Sequence, residues 1–256
     1  MDNSNAEKQT GAAQNQVVVV TGISNREFLE QYARPGRVGL CGGSTLVDKA
    51  ILRAERHIDP LGEWGAWSHA FLFQGSRHDG HHWVIESDIQ INRKHIRLGV
   101  QENRIAKYFD ENFYTTLAVL DFALPETSVA KLLHEGLELV AARTRYSLRE
   151  LIGTLIALRE PKLRAKENLL ARESSIYCSA FVQHLFGKAG LDLVPGIAGK
   201  NTTPEDISRT SVPHVTYILR REQPEKKSGG LKARLHGRVR ARIDKVKELR
   251  KKRKGV

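Results

Sequence analysis

The chain has few of the features that mark small disulfide-bonded proteins or membrane-spanning proteins. Its 256 residues include two cysteines, Cys41 and Cys178, which is too few for a disulfide scaffold. Its purely apolar runs, such as residues 17–20, are far too short to span a bilayer. The polar segment Met1 to Gln16 lacks the basic start and the apolar stretch of a secretory signal. These absences predict a cytoplasmic protein in which a free thiol persists.

Positive charge is concentrated at one end of the chain. The net charge is +12, and residues 220–256 hold 16 of the 41 basic residues but only 4 of the 29 acidic residues. The remaining 25 basic and 25 acidic residues leave residues 1–219 neutral. The high isoelectric point therefore describes a tail and not a basic fold.

The basic tail, residues 223–256, has the pattern of an amphipathic helix. Apolar residues recur at intervals of three and four in residues 231–254, with Arg and Lys on the other face. Such a helix can lie on an anionic membrane, bind nucleic-acid phosphates or dock on the body of the protein. Because nothing in the neutral body suggests a nucleic-acid fold, we expect the tail to place the protein peripherally at a membrane.

The rest of the chain divides into a disordered N-terminus, residues 1–15, and one folded domain, residues 16–222. Helical patterns alternate with strand-like runs, and the strands cluster in the middle and last third. Ser24 caps a first helix, with Glu27 at the capping-box position, and Ser44 caps a second. Residues 66–73 and 82–91 predict a hairpin. This mixture predicts an α+β fold, an antiparallel sheet with helices on one side.

Cys178 stands where a polar run gives way to an amphipathic helix, residues 178–189. The free N–H groups and the positive dipole end at a helix N-terminus stabilise a thiolate. The backbone N–H of Cys178 could also bind a tetrahedral oxyanion. Cys178 is therefore a candidate nucleophile, although a lone cysteine is more often an inert core residue.

His69 and Glu86 lie on the two strands of the predicted hairpin. His69 begins an apolar strand, where a half-buried structural histidine is the commoner interpretation. Glu86, on the neighbouring strand, could accept a hydrogen bond from the imidazole and orient it as a base. With Cys178 these residues would form a nucleophile, a base and an orienting carboxylate. The histidine precedes the cysteine in the chain, the reverse of the papain order.

Several segments resemble, in order, the YaeF/YiiX-like branch of the NlpC-type papain-fold hydrolases, whose chain is circularly permuted. The resemblance covers roughly residues 34–210. It rests on a glycine-bearing strand and the helix after it, the Ser-His and Val-Ile-Glu-Ser strands, the Tyr-Cys-Ser helix start and a Thr-Pro segment: residues 34–40, 44–53, 68–70, 84–87, 177–182 and 202–207.

The resemblance implies a circularly permuted papain-like fold, in which an antiparallel sheet packs against the nucleophile-bearing helix. It also implies that Cys178 is the nucleophile, His69 the base and Glu86 the orienting residue. Two positions depart from the family pattern: Arg37 stands where Asp is usual, and Ala180 where an acidic residue is common. These departures bear on the substrate more than on the fold.

The expected function is a cysteine-dependent hydrolase, a peptidase or amidase, or an acyltransferase that acts on an amide or ester through an acyl-enzyme. The substrate would be peptide-like or lipid-like, and no cofactor or metal is expected. The alternative is a non-catalytic papain-fold binding module that its basic tail recruits to membrane or nucleic acid.

Three other groups of residues offer competing interpretations. Cys41, before Gly42-Gly43, could be a nucleophile in the unpermuted order, or a core thiol at a strand end. The hairpin loop with His78, Asp79, His81 and His82 could bind a metal, although one loop supplies no obvious scaffold. Trp64 and Trp67 could line a substrate cleft or belong to the core.

Overall fold

A seven-stranded sheet runs through the part of the chain that the structure, a computed structural model, describes. That part comprises residues 15–91, 96–145, 148–168 and 176–221. The predicted tail and all but the last residue of the predicted disordered N-terminus lie outside it. None of the helices in the described ranges is long and apolar enough to cross a membrane.

The strands of the sheet are, in chain order, β1 (Gln16–Val20), β2 (Val38–Gly43), β3 (His69–Ser76), β4 (His82–Ile91), β5 (Ile96–Arg104), β6 (Tyr114–Asp121) and β7 (Val215–Leu219). The α-helices are α1 (Asn25–Tyr32), α2 (Leu46–Glu55), α3 (Glu126–Ala141), α4 (Leu148–Ala157), α5 (Pro161–Arg164), α6 (Cys178–Lys188) and α7 (Pro204–Ser208). Short 3₁₀ helices cover Ile105–Phe109 and Gly199–Asn201.

The strands lie side by side in the order β1-β7-β6-β2-β3-β4-β5. Neighbouring strands are antiparallel except for β1 and β7, which pair in parallel. The mixed α+β class predicted from the sequence is confirmed. The purely antiparallel sheet was wrong at this one edge, where the pairing joins two strands from opposite ends of the domain.

Alternate residues of the central strands point to opposite faces of the sheet and build two separate cores. Leu40 of β2 and Leu72 of β3 pack in one core with residues of α6. Phe71 and Phe73 of β3 pack in the other core with Phe28 of α1. The prediction of helices on one side only was therefore wrong, because the apolar face of α1 covers the second face of the sheet.

Local capping signals in the sequence were informative for two helices. The predicted capping box of α1 is confirmed, since Ser24 accepts from Glu27 N and the Glu27 carboxylate accepts from Ser24 N. The predicted cap of α2 was wrong by one residue, because Thr45 and not Ser44 is its N-cap. The Asp48 carboxylate accepts a hydrogen bond from Thr45 N, whereas the residue three positions after Ser44 is Val47, whose side chain cannot accept one.

Strand β5 was absent from the sequence-based prediction. It pairs antiparallel with β4 along its whole length, from Trp83↔Arg104 to Ile91↔Ile96. Gly99 interrupts its pattern: its φ is 138°, and a Cβ there would lie 2.2 Å from the Thr144 carbonyl oxygen. The strand needs this glycine because Thr144 accepts a hydrogen bond from Val100 N at that point.

The corrected cap of α2 gives a test by matched substitutions. Thr45→Ala removes the side chain that accepts from Asp48 N at 3.1 Å, so we expect a loss of about 1 kcal/mol in the free energy of unfolding. Ser44→Ala, at the exposed neighbouring position, should leave that free energy nearly unchanged. Urea unfolding of both variants makes the comparison, and a larger loss for Ser44→Ala would contradict the assignment.

Candidate active site

The structure brings the predicted residues His69, Glu86 and Cys178 together at one end of the sheet. The Nε2 atom of His69 lies 2.6 Å from Oε2 of Glu86. The side chain of Cys178 lies beside the His69 ring and acts on its charge. Because Nε2 faces Glu86, Nδ1 is the ring nitrogen left for the sulfur. The imidazole therefore connects a thiol to a carboxylate.

The fold explains why two of these side chains meet. His69 is the first residue of β3 and shares a face of that strand with Phe71 and Phe73, as the alternation of strand residues requires. Glu86 shares the corresponding face of β4 with Val84. Since β3 and β4 are antiparallel neighbours, both side chains lie over the same side of the hairpin.

The charge state of His69 follows from its two partners. Burial lowers the pKa of the imidazole, but the negative charge and hydrogen bond of Cys178, followed by those of Glu86, raise it to about 10. At neutral pH the ring is therefore an imidazolium beside the ionised Glu86 carboxylate. A histidine held by a carboxylate beside a cysteine is the arrangement that can activate a thiol nucleophile.

Glu86 is fully buried and accepts hydrogen bonds from four side chains. Besides His69, Asn103 Nδ2 donates to it at 2.7 Å, Lys107 Nζ at 2.9 Å, and the Tyr108 hydroxyl through a short contact. Burial raises the pKa of Glu86, but Lys107, His69 and Tyr108 outweigh it and hold that pKa far below its usual range. Glu86 is therefore an ionised group in a dry site.

Sequence reasoning missed Asn103, Lys107, Tyr108 and Asp88, which surround Glu86. Asp88 lies two residues after Glu86 on β4, so the strand period alone could have placed it on the same face. Asn103 belongs to β5, and Lys107 and Tyr108 to the 3₁₀ helix that follows it. These three residues could not be placed near Glu86 from the sequence, because β5 itself had been missed.

The start of α6 is held in place by hydrogen bonds on both sides of Cys178. The hydroxyls of Tyr177 and Ser179 both donate to the Thr202 carbonyl oxygen, at 2.6 and 2.8 Å. Ser87 Oγ donates to the Ile176 carbonyl oxygen at 2.6 Å. The Thr-Pro segment predicted from the sequence thus begins with the carbonyl that anchors the helix. The polar run predicted before Cys178, residues 172–175, lies outside the described residues.

Helix α6 begins at Cys178, as the sequence predicted. The side chain of its N-cap residue, Tyr177, makes no capping hydrogen bond, and no acidic residue lies in its first turn. The positive end of the helix dipole therefore acts on the thiol and on any oxyanion formed beside it. Cys178 itself is only 2% exposed, and its reactions need a small or narrow reactant.

Cys41, the competing nucleophile, lies in the core on the Phe71 face of the sheet. Its Cα pairs with that of His69 across β2 and β3. Burial raises the pKa of Cys41 well above its ordinary value, and nearby Glu86 adds to this while Lys107 opposes it. Cys41 is thus a neutral thiol, which matches the core interpretation.

The hairpin loop does not assemble the metal site considered from the sequence. In the described ranges, His78, Asp79, His81 and His82 form no cluster of three ligand atoms. Instead, Asp79 accepts from His81 N and pairs with Arg104.

A different group, formed by His69, Glu86 and Asp88, has ligand atoms within 4.8 Å of one another. Lys107 Nζ already lies 2.9 Å from Glu86 and 2.6 Å from Asp88. Its ammonium supplies the positive charge that a cation would bring. A metal ion bound by all three ligands would have to displace Lys107, so the arrangement fits an ion-pair network better than a metal centre.

The two tryptophans before His69 have different environments. Trp67 is 7% exposed and belongs to the core that contains α6, which is the structural interpretation. Trp64 is 57% exposed, and nothing in its contacts assigns it to a cleft.

A surface cavity of about 970 Å³ lies along α6. Ala180, Gln183, His184 and Gly187 line it and form one stripe of the helix at intervals of one, three and four residues. Cys178 is not among the described residues that line the cavity, because it starts the opposite stripe. The cavity is therefore separate from His69 and Cys178, which are called the dyad below.

Comparison with known proteins finds a likeness among solved structures. No protein-family model matches the chain, and no curated protein does. Among solved structures, a crystal structure described as the metalloprotein yiiX from Escherichia coli O157:H7, DUF1105, matches with a TM-score of 0.45 and 12% identity. The match covers 75% of this chain and 99% of the other. The name YiiX links it to the resemblance given above, but the match does not place the chain in the NlpC superfamily.

The charge of His69 can be tested with substitutions of the two cysteines. Because Cys178 is the strongest influence that raises the His69 pKa, Cys178→Ala should lower that pKa markedly from its value of about 10. Cys41→Ala, which removes a neutral buried thiol, should leave it close to the wild-type value. A ¹H–¹⁵N NMR titration of the imidazole measures both variants. Equal His69 pKa values in wild type and Cys178→Ala would contradict this influence of Cys178 on the ring.

Proposed function

We propose that the protein is a cysteine-dependent hydrolase or acyltransferase that acts on an amide or ester. The observation that carries the proposal is the position of the His69 ring, which lies beside Cys178 and is hydrogen-bonded to the buried Glu86 carboxylate. A nucleophile, a base in contact with it and a third group that orients the base are the parts that covalent acyl transfer requires. In this structure they come from α6, β3 and β4.

In the proposed reaction the Cys178 thiolate attacks the substrate carbonyl carbon and forms a carbon–sulfur bond. The carbonyl electrons move to oxygen, and the oxyanion is stabilised at the N-terminus of α6. The His69 imidazolium donates its proton to the leaving amine or alcohol as the bond to it breaks, which leaves a thioester. Neutral His69 then takes a proton from water or an acceptor hydroxyl that attacks the thioester, and the thiolate leaves. Glu86 keeps the ring oriented throughout.

The finer fold proposal is a circularly permuted papain-like domain of the NlpC type. It is supported by the chain order His69, Glu86, Cys178 and by the packing of α6 against the sheet. The Thr202 carbonyl that anchors the start of α6 adds to this, since it belongs to one of the segments that carry the sequence resemblance.

For substrate and location we keep the expectations drawn from the sequence as proposals. The substrate is a peptide-like amide or a lipid-like ester, and the reaction needs no cofactor beyond the protein side chains. The basic segment 231–254 would hold the protein at an anionic membrane surface on the cytoplasmic side. A lipid or lipidated substrate suits that location best.

One observation favours the alternative of a non-catalytic binding module. Cys178 is 2% exposed, so the thiol has little room for a substrate in the described arrangement. A papain-like domain that kept its fold but bound partners without reaction would show the same burial. The two functions differ in whether Cys178 reacts with an electrophile.

Labelling with a small electrophilic acyl probe distinguishes the two. We expect wild type and Cys41→Ala to form a covalent adduct and Cys178→Ala to show background labelling only. His69→Ala should label at least about 100-fold more slowly, which is the usual contribution of a positioned base. Intact-protein mass spectrometry at neutral pH gives both the extent and the rate. A wild-type protein that forms no adduct would favour the binding module.

A further inference from the structure

Lys107 occupies a position that the proposed reaction does not yet explain. Its ammonium lies 2.9 Å from Oε1 of Glu86 and 2.6 Å from Oδ2 of Asp88, and its side chain is only 20% exposed. The Oε2 atom of Glu86, on the other side of the carboxylate, faces His69. Lys107 and His69 therefore bind opposite oxygens of one buried carboxylate.

The charge of Lys107 matters because of this burial. An ionised carboxylate removed from water is strongly destabilised unless a counter-charge and hydrogen bonds compensate it. Asn103 and Tyr108 supply neutral hydrogen bonds to Glu86, whereas Lys107 supplies a full positive charge. His69 can carry a positive charge too, but only while it holds the proton that catalysis must move. Lys107 is thus the partner whose charge stays constant through the reaction.

We propose that Lys107 is a positioning residue for the dyad: its ammonium, held from the far side by Asp88, keeps Glu86 ionised and directed at His69. The proposal deepens the proposed function and rests on it for its catalytic meaning. On this proposal, Lys107 determines the pH range over which His69 can hold the proton of the Cys178 thiol.

Several titratable groups act on Glu86, Lys107 or His69 from the elements around them. They are Cys41 of β2, His69 of β3, Asp88 of β4, Tyr108 of the 3₁₀ helix, Tyr114 of β6 and Cys178 of α6. Burial raises the pKa values of Tyr108 and Tyr114 above their ordinary range, so both hydroxyls stay neutral. Glu86 loses its charge only in acid and His69 only in alkali, so both stay charged at neutral pH.

The sign of the effect of losing Lys107 follows from these charges. Removing a fixed positive charge makes the site more negative. A more negative site favours the binding of a proton by its anions, of which Glu86 is in direct contact with Lys107. A neighbouring opposite charge typically lowers the pKa of a carboxyl by about 1 to 3 units. In Lys107→Met, therefore, the pH at which Glu86 becomes protonated should rise by about 1 to 3 units.

A ¹³C NMR titration of the glutamate side-chain carboxyl signals tests this directly in the full chain. The Glu86 signal is assigned by its loss in Glu86→Gln. We expect Glu86 of the wild type to stay ionised through the acid range in which the protein is folded, and Glu86 of Lys107→Met to titrate at higher pH. An unchanged Glu86 titration in folded Lys107→Met would overturn the proposal.

Matched variants separate the charge of Lys107 from its packing. Lys107→Arg restores the charge and should bring the Glu86 titration back toward that of the wild type. Lys131→Met removes an exposed lysine from α3 and should leave the titration unchanged. If Lys107→Met does not fold, Lys107→Gln is measured in its place, because it keeps a polar donor without the charge. A Lys107→Gln titration equal to that of the wild type would also overturn the proposal.

The catalytic consequence is measured separately, as the rate at which iodoacetamide alkylates Cys178 in a Cys41→Ala background. The acid limb of this rate should move to higher pH in Lys107→Met, and adding Lys107→Met to Glu86→Gln should shift it no further, since Lys107 acts through Glu86. An additional shift in the double variant would contradict that route. If Cys178 of the parent protein does not react at any pH, the proposed function fails, while the carboxyl titration still decides the role of Lys107.

Discussion

The Glu86 carboxylate is the constraint on which the rest of the site depends. It is an ion with no exposure to solvent, and such an ion is tolerated only where partners replace its hydration. Its partners come from three parts of the chain: His69 from β3, Asn103 from β5, and Lys107 with Tyr108 from the 3₁₀ helix. The need to compensate one charge thus links β3, β5 and the 3₁₀ helix to β4, and it orients the His69 ring through Nε2.

Strand β4 aligns both halves of the dyad through two adjacent residues. Glu86 points to one face of the sheet and holds His69, while Ser87 points to the other face and holds the carbonyl of Ile176, two residues before Cys178. Consecutive strand residues have this opposite orientation as a matter of geometry. The relative position of base and nucleophile is therefore set by one strand, although they lie more than a hundred residues apart in the chain.

The features that the sequence predicted well depend on short-range chemistry. The Ser24–Glu27 capping box and the start of α6 at Cys178 are examples, since each is decided by residues within one helical turn. Cap chemistry also explains the error at Ser44, because the decisive partner was Asp48. Strand β5 was missed because Gly99 interrupts its pattern and because its pairing with β4 is stabilised by tertiary contacts. Nothing in the sequence around Lys107 indicated its role. A lysine that the fold places between two carboxylates cannot be distinguished from a solvated lysine by sequence alone.

Burial alone does not distinguish the two thiols of this protein. Cys41 is 1% exposed and Cys178 is 2% exposed, yet their surroundings differ in charge. Cys41 lies inside a sheet among apolar and aromatic side chains, and burial raises its pKa more than nearby Lys107 lowers it. Cys178 lies at the positive end of a helix and beside His69, whose own charge is sustained by Glu86 and its fixed counter-ion. A thiol becomes a nucleophile through such neighbours, which is why the position of Cys178 at a helix start was the informative part of the sequence.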